Sequence, residues 1–415
     1  MKRWTAWLVV MLLAMAAAYA RPARCQDAEP RIKVLTFNVW GIIGARQRVA
    51  RARAIGEKIA ALDPDVIAIE EAFERRHRRV LLQAIKDNGY KIADWRYFRN
   101  VYGSGVLFIS KFPIEEAVFE PYRVIGGVAN IEWLGGKGIA YLRLKTPWGP
   151  LDFFSTHAIA RMTPVFDQQG NYIPGDPQEI DRLLNMYQID RFVRAHRNPM
   201  GRSIIAAGDF NVSPEMSEYR FLVAKTGFES SFEVLHPGEN PSTFSTEDVW
   251  VTDEYSRIDH IFFKNYAGGV GFWVKPVESH VAMNEKFTSP RDKREINYSD
   301  HYGLWTEFEV MTDASAITPS PEGAMPSPCK CEDCPLPIYT LSQIRLTPEN
   351  YELWKNAALD EFSRAFTRHD RHDRLLIPMA QIVAAAPLAD TVTVDIPPGD
   401  AARFKKDVCH DACVR

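Results

Sequence analysis

Asp65-Val66-Ile67-Ala68-Ile69-Glu70-Glu71 is a short apolar run, rich in β-branched residues, that stops on a carboxylate. A run of this length suits a buried strand and is too short for a helix. Working outward, the same texture recurs at Ile32 to Trp40, Val106 to Ser110, Ile139 to Leu144, Leu151 to Thr156, Ser203 to Ala207, Ile258 to Phe263 and Leu304 to Val310. Amphipathic stretches at Arg46 to Leu62, Arg79 to Asn88 and Pro177 to His196 lie between several of these runs. Strands and helices are mixed throughout, which predicts a layered α/β fold.

The polar residues at the ends of these runs carry the chemistry. Glu71 comes after Ile69, Asp209 after Ala207-Gly208, Asp259 lies within Arg257-Ile258-Asp259-His260, Asp300 lies within Tyr298-Ser299-Asp300-His301, and Asn38 ends Leu35-Thr36-Phe37-Asn38. Singly, a carboxylate or amide after a strand is most often a turn former or a helix cap. Together they are the oxygen ligands, bases and donors that hydrolysis of a phosphodiester requires around a hard cation. His260 neighbours Asp259 on one strand, so alternation points it to the opposite face and gives it a structural role.

In this order, Leu35-Thr36-Phe37-Asn38-Val39-Trp40, Asp65 to Glu71, Ser155-Thr156-His157, Gly208-Asp209-Phe210-Asn211, Arg257 to His260 and Ser299-Asp300-His301 resemble the endonuclease/exonuclease/phosphatase superfamily over roughly residues 31 to 310. The resemblance implies a four-layer α/β sandwich, two packed mixed β-sheets flanked by helices. It implies Mg²⁺ held by Glu71 with Asn38 and Asp300, and Mn²⁺ or Co²⁺ as substitutes. Asp209 and Asn211 would flank the scissile phosphate, His301 would act as base or charge-stabilising acid with Asp259 behind it, and His157 would donate to a phosphoryl oxygen. Glu70 stands where the family commonly has Gln, a departure expected to matter little because Glu71 keeps the ligand position.

Within that superfamily the chain is most similar to neutral sphingomyelinases. The residues that carry this likeness are Asn38-Val39-Trp40-Gly41 and Ile131-Glu132-Trp133-Leu134-Gly135-Gly136-Lys137-Gly138, with Glu132 where those enzymes usually have Asp. An acid and a lysine flanking two glycines could form a loop in which Lys137 alternates between Glu132 and a substrate phosphate; the plainer reading is a flexible turn before a strand. The implied activity is cleavage of sphingomyelin to ceramide and phosphocholine, with membrane lipid as partner and no obligate protein partner. Trp133, Leu134, Val124 to Ala129 and Trp250-Val251 could make peripheral membrane contact; equally, such large apolar side chains could be core. A nuclease using the same metal site is the alternative, with Arg46 to Arg53 as its backbone-reading candidate. A catalytically silent binding protein is the third reading.

The ends of the chain differ from its middle. An uncharged run from Trp7 to Ala20 after Met1-Lys2-Arg3, closed by Ala18-Tyr19-Ala20, reads as a signal peptide over residues 1–20 and places the protein outside the cytoplasm, secreted or periplasmic. Its loss removes Lys2 and Arg3 and no acid, so the net charge of -3 becomes -5, with no overall footprint for nucleic acid. The basic stretches Arg46 to Arg53 and Arg75 to Arg79 read as solvated helix faces. The catalytic domain is expected over 30–311, a Pro-rich linker with a cysteine cluster over 312–340, and a small helical, Cys-containing appendage over 341–415 whose helix starts near Pro348. Five of the six cysteines, Cys329, Cys331, Cys334, Cys409 and Cys413, fall there; Cys25 alone precedes the domain. Disulfides and a Zn²⁺ site both fit that spacing. His369 and His372 read as solvated.

Overall fold

A computed structural model describes residues 29–42, 44–95, 103–122, 132, 135–160, 165–166, 172–173, 179–244, 257–312, 318–321, 343–346 and 392–395. Residues 1–20, Trp133, Leu134, 124–129, Trp250-Val251, all six cysteines, His369 and His372, and the helix expected near Pro348 lie outside the described residues.

Two six-stranded sheets form the core. The first runs β13 (Trp273–Ala282), β16 (Gly303–Met311), β1 (Arg31–Asn38), β2 (Val66–Glu70), β4 (Leu107–Ser110), β3 (Lys91–Asp94). The second runs β11 (Glu229–Ser230), β12 (Asp259–Lys264), β10 (Ile204–Asp209), β7 (Gly149–His157), β6 (Gly138–Thr146), β5 (Ile114–Pro121). Each is mixed, with one parallel pair: β1 beside β2, and β7 beside β10. A parallel pair needs a crossover, supplied by α1 (Arg48–Leu62) in the first and α3 (Glu179–His196) in the second. Helix α2 (Arg75–Ala84) follows β2, while α4 (Ser217–Thr226) and α5 (Ser231–Leu235) follow β10. Three small ladders complete the described structure: β8 (Val165–Phe166) with β9 (Tyr172–Ile173), β14 (Lys286–Thr288) with β15 (Glu295–Asn297), and β17 (Gln343–Leu346) with β18 (Val392–Asp395). No helix among the described residues is long and apolar enough to cross a membrane.

Side-chain alternation separates the layers. From β1, Ile32 and Val34 enter the core between the sheets, where they join Val66 and Ala68 of β2, Phe153 of β7, Ile205 and Ala207 of β10 and Ile261 of β12. Leu35 and Phe37 take the other face and pack with Ile67 and Ile69 under Ile55 and Ile59 of α1 and Leu81 of α2. On the far side, Phe192 of α3 meets Phe154 of β7 edge-on at 6.2 Å. Helices, sheet, sheet and helices make the four layers expected.

The two basic stretches expose Arg46, Arg53, Arg75, Arg76 and Arg79 as solvated faces would, but each turns one arginine inward. Arg51 and Arg78 are each 2% exposed. Arg51 lies over the Trp40 ring at 4.5 Å, and Arg78 pairs with Asp94 at 3.0 Å. A guanidinium that stacks or pairs can be carried inside where a lysine could not.

Candidate active site

The inward-facing rows of β1, β2 and β10 begin apolar and end on a polar side chain. On β1 the row reads Ile32, Val34, Thr36, Asn38; on β2 it reads Val66, Ala68, Glu70; on β10 it reads Ile205, Ala207, Asp209. Register brings these ends together: Asn38 opposite Glu70, Asp209 opposite both His157 and Asp259. The polar residues thus collect at one open end of the sandwich, with the hydrophobic core as their floor. Gly208 makes this possible, because a Cβ there would lie 2.1 Å from the carbonyl oxygen of Thr156 across the β7–β10 pair.

Glu71 leaves β2 with φ 55, a left-handed conformation costly for a non-glycine residue. The turn re-aims its side chain to the mouth instead of the outer face that alternation would assign. Gly41 packs against it so closely that a Cβ would come within 2.4 Å of the Glu71 carbonyl oxygen. Burial raises the affinity of the Glu71 carboxyl for its proton, against the pull of Lys137 and His301. Its buried Oε2 has no hydrogen-bond partner among the described residues. A buried carboxylate oxygen without a donor is suited to bind a cation, and Glu71, Asn38 and Asp300 offer only oxygen, as Mg²⁺ requires. Asn38 accepts from the Trp40 N–H at 3.0 Å and donates through Nδ2 to Asp209 at 3.0 Å, keeping a second lone pair on Oδ1. Asp300 accepts from Ser299 Oγ at 3.1 Å; burial, with the Glu71 charge acting in the same direction, pushes it up to about 7.

Opposite stands His301. Its Nδ1 lies 2.9 Å from Asp259 Oδ2, and its Nε2 lies 3.8 Å from Asp209 Oδ2. Burial works against charge on this ring, but Asp259 and Asp209 outweigh it and hold the imidazole well above its usual range. Asp209 is fixed twice, by Asn38 and by the backbone N–H of Asn211 at 2.9 Å; burial and then Asp259 push it up to about 6. Ligand atoms of Asp209, Asp259 and His301 fall within 4.8 Å of one another. Because His301 already spends Nδ1 on Asp259, this cluster reads better as a proton-handling group than as the metal cage.

His157 is fully buried, 3.6 Å from Asp209 and 3.9 Å from Glu71 through Nε2. Neither ring nitrogen has a hydrogen-bond partner among the described residues. Burial, with Lys137 and His301 adding to it, pushes its affinity for a second proton well down, so it is a neutral imidazole with a donor to offer. Asn211, at φ 53, gives one amide hydrogen to the Ala158 carbonyl at 3.0 Å and keeps another. His260 faces away as alternation requires, bonded to the Val212 carbonyl at 2.8 Å.

Lys137 is brought to this mouth too. Its ammonium pairs with Glu132 Oε2 at 2.8 Å, and both side chains are nearly buried. Its charge acts on Glu71, His157 and Asp209. Gly135 and Gly136 form the turn just before it.

Three features of the site are set by tertiary contact rather than by local sequence. Thr243 Oγ1 accepts the N–H groups of Ile258 at 3.1 Å and Asp259 at 3.2 Å, while its carbonyl accepts from Tyr302 N–H at 2.7 Å. One loop residue therefore clamps the segments bearing both members of the Asp259–His301 pair. Phe244 closes edge-on over the His301 ring at 5.1 Å. Glu70 is fully buried beneath the site; burial and then Asp259 and Asp209 raise its carboxyl well above the usual range. Nothing in the residue types of the Thr243 loop marks it out, since Ser, Thr and Pro are ordinary loop composition.

Residues 35–301 match the Endonuclease/Exonuclease/phosphatase family. The chain is 28% identical over 308 residues to an inositol phosphosphingolipids phospholipase C of Schizosaccharomyces pombe, covering 68% of this chain and 70% of that protein. It is 25% identical over 288 residues to a putative neutral sphingomyelinase of Drosophila melanogaster, covering 67% of this chain and 61% of that protein. Among solved structures, beta toxin from Staphylococcus aureus with bound magnesium ions superposes with a TM-score of 0.52 at 17% identity, over 67% of this chain and 99% of that one. At that identity the likeness is one of fold.

Proposed function

The chain belongs to the Endonuclease/Exonuclease/phosphatase family, and from that premise we propose that it is a Mg²⁺-dependent phospholipase C of the sphingomyelinase type, cutting sphingomyelin to ceramide and phosphocholine. The observation that carries the reading is the polar cluster itself, where Glu71 Oε2 has no hydrogen-bond partner among the described residues and His157 Nε2, 3.9 Å from Glu71 and 3.6 Å from Asp209, joins it to the His301–Asp259–Asp209 group. Two curated relatives whose names specify sphingolipid phosphodiesters support the substrate class.

Glu71, with Asn38 and Asp300 beside it, would hold the cation. A hard cation there screens the phosphodiester charge and polarises its oxygens. His157 offers a neutral N–H to a non-bridging oxygen, and Asn211 offers its remaining amide hydrogen. A water within reach of His301 Nε2 and Asp209 Oδ2, 3.8 Å apart, would give its proton to the Asp209 carboxylate, while the charged imidazole steadies the charge that develops on the phosphoryl group. Asp259 holds the imidazole in the orientation that keeps Nε2 toward the water. The new P–O bond forms as the bond to the ceramide oxygen breaks, and that oxygen takes a proton from solvent and leaves as a hydroxyl. One water is consumed and phosphocholine is released. Lys137 in this scheme leaves Glu132 for the incoming phosphate.

The test is product analysis on three substrates with the same preparation: sphingomyelin vesicles, inositol phosphosphingolipid vesicles and supercoiled plasmid, each with Mg²⁺. Phosphocholine from the first supports the proposal. Cleavage of the second alone narrows the headgroup to inositol phosphate, and nicking without lipid cleavage moves the protein to the nucleases.

A further inference from the structure

The basic stretch at the start of α1 is only partly absorbed by the fold. Arg51 is buried, but Arg53 is exposed and Arg48 half-buried, with one hydrogen bond to the Ile42 carbonyl at 2.8 Å. Both line an open cavity of about 810 Å³ between α1 and the β14–β15 hairpin, and Arg291 from the hairpin turn lines it from the other side. Its apolar lining includes Val49, Ala54 and Phe287. Among the described residues Glu57 is its only acidic lining residue.

The walls are held in place. Gln47, at the N-cap of α1, donates to Asp292 of the hairpin turn at 3.2 Å and bonds the Ser289 hydroxyl. Phe287 stacks on Tyr298 at 5.2 Å. The wall segments continue directly into catalytic residues, because Gln47 follows Asn38 along one loop and Tyr298 precedes Asp300 and His301. Ala282 pairs with Gly303 and Leu304 with Thr36, so the hairpin leaves the first sheet at the end where Asn38 lies, and the cavity sits at the same end of the sandwich as the mouth. Ile42, on the loop between Asn38 and α1, is exposed there as well.

We propose that this groove is a second lipid site, which takes the phosphate-bearing headgroup of an anionic membrane lipid and presents the catalytic mouth to the bilayer. Three guanidiniums against one carboxylate complement a phosphate. An apolar floor with an exposed isoleucine beside it suits the boundary between headgroups and acyl chains. Nucleic acid would call for a basic track along a surface, whereas here the basic residues line a single groove in a chain of net charge -3. The inference rests on the lipid reading of the active site for its purpose, while the binding it describes needs no catalysis.

The experiment is sedimentation of the full-length protein with vesicles of phosphatidylcholine alone or with added phosphatidylserine, in EDTA so that nothing is hydrolysed. The parent is expected to favour the anionic vesicles. The double variant Arg53→Glu/Arg291→Glu is expected to lose at least about tenfold of that binding, since each basic residue near an anionic surface contributes about 1 kcal/mol. Arg53→Lys/Arg291→Lys should retain most of it, and thermal melting checks that all three are folded. Equal sedimentation of parent and reversed variant would overturn the proposal. So would an arginine-dependent interaction seen with duplex DNA or free inorganic phosphate but not with vesicles. Hydrolysis of sphingomyelin in neutral detergent micelles, expected unchanged in the reversed variant, is read separately. A protein inert there that still needs its arginines for anionic vesicles would sink the proposed activity and leave the groove standing.

Discussion

His301 Nδ1 stands 2.9 Å from Asp259 Oδ2, and both residues are buried. The carboxylate fixes which face of the imidazole is left for chemistry, so its loss should act on turnover more than on binding. We expect Asp259→Asn to keep the fold and KM while lowering kcat by about 10²–10⁴, the usual range for a positioned acid–base group. Steady-state kinetics on sphingomyelin vesicles check this, and a variant with a raised KM and an unchanged kcat would contradict it.

Glu70 and Glu71 are adjacent and point to different places. Glu71→Gln should abolish activity and remove the stabilisation that Mg²⁺ gives the parent, which follows RT ln(1 + [Mg²⁺]/Kd). Glu70→Gln should do neither, because the bonds its side chain accepts are two long ones, 3.4 Å, from Thr36 Oγ1. Thermal melting against Mg²⁺ concentration separates the two variants without an activity assay.

Thr243 tests whether a loop outside the catalytic set positions it. Thr243→Val keeps the shape and removes the acceptor shared by the Ile258 and Asp259 N–H groups. Leaving buried N–H groups unpaired costs about 1–3 kcal/mol, and we expect the strain to appear as a fall in kcat with KM little changed and partial rescue by Thr243→Ser. Full activity in the valine variant would make the clamp dispensable.

Much of this could be read beforehand, for a reason that Asn38, Glu71 and Asp209 illustrate. Each follows a short β-branched run, and a polar residue at the end of such a run must sit where the core opens. The eight central strands were legible on the same grounds. Edge strands were not: β5 sets Glu115 and Glu116 side by side with a register shift there, which breaks the alternation, and β13 carries Pro276 and a register shift beside it. Their pairing is set by neighbouring strands rather than by local pattern. Burial of Arg51 and Arg78 was equally invisible, because it depends on Trp40 and Asp94 being brought alongside. The clamp by Thr243 depends on tertiary contact alone.

His77 gives a pH dependence with a definite sign. It is fully buried on α2, neither ring nitrogen has a hydrogen-bond partner among the described residues, and burial pushes it down to about 4. The unfolded chain, near 6.5, takes the proton first as pH falls, so stability is present in full above about 6.5 and is lost between there and 4. From pH 7 to 5 the loss from this group is about 2 kcal/mol. Urea unfolding at both pH values should show that loss reduced in His77→Leu; an unchanged difference would clear His77 of responsibility.

The central claim is that the mouth formed by Glu71, Asp209 and His301 hydrolyses a sphingolipid phosphodiester. It is tested most directly by phosphocholine release from sphingomyelin vesicles with Mg²⁺, comparing parent with His301→Ala. The account predicts release by the parent, abolished by EDTA and reduced by at least about 10² in the variant. Release that survives both EDTA and the loss of His301 would contradict it.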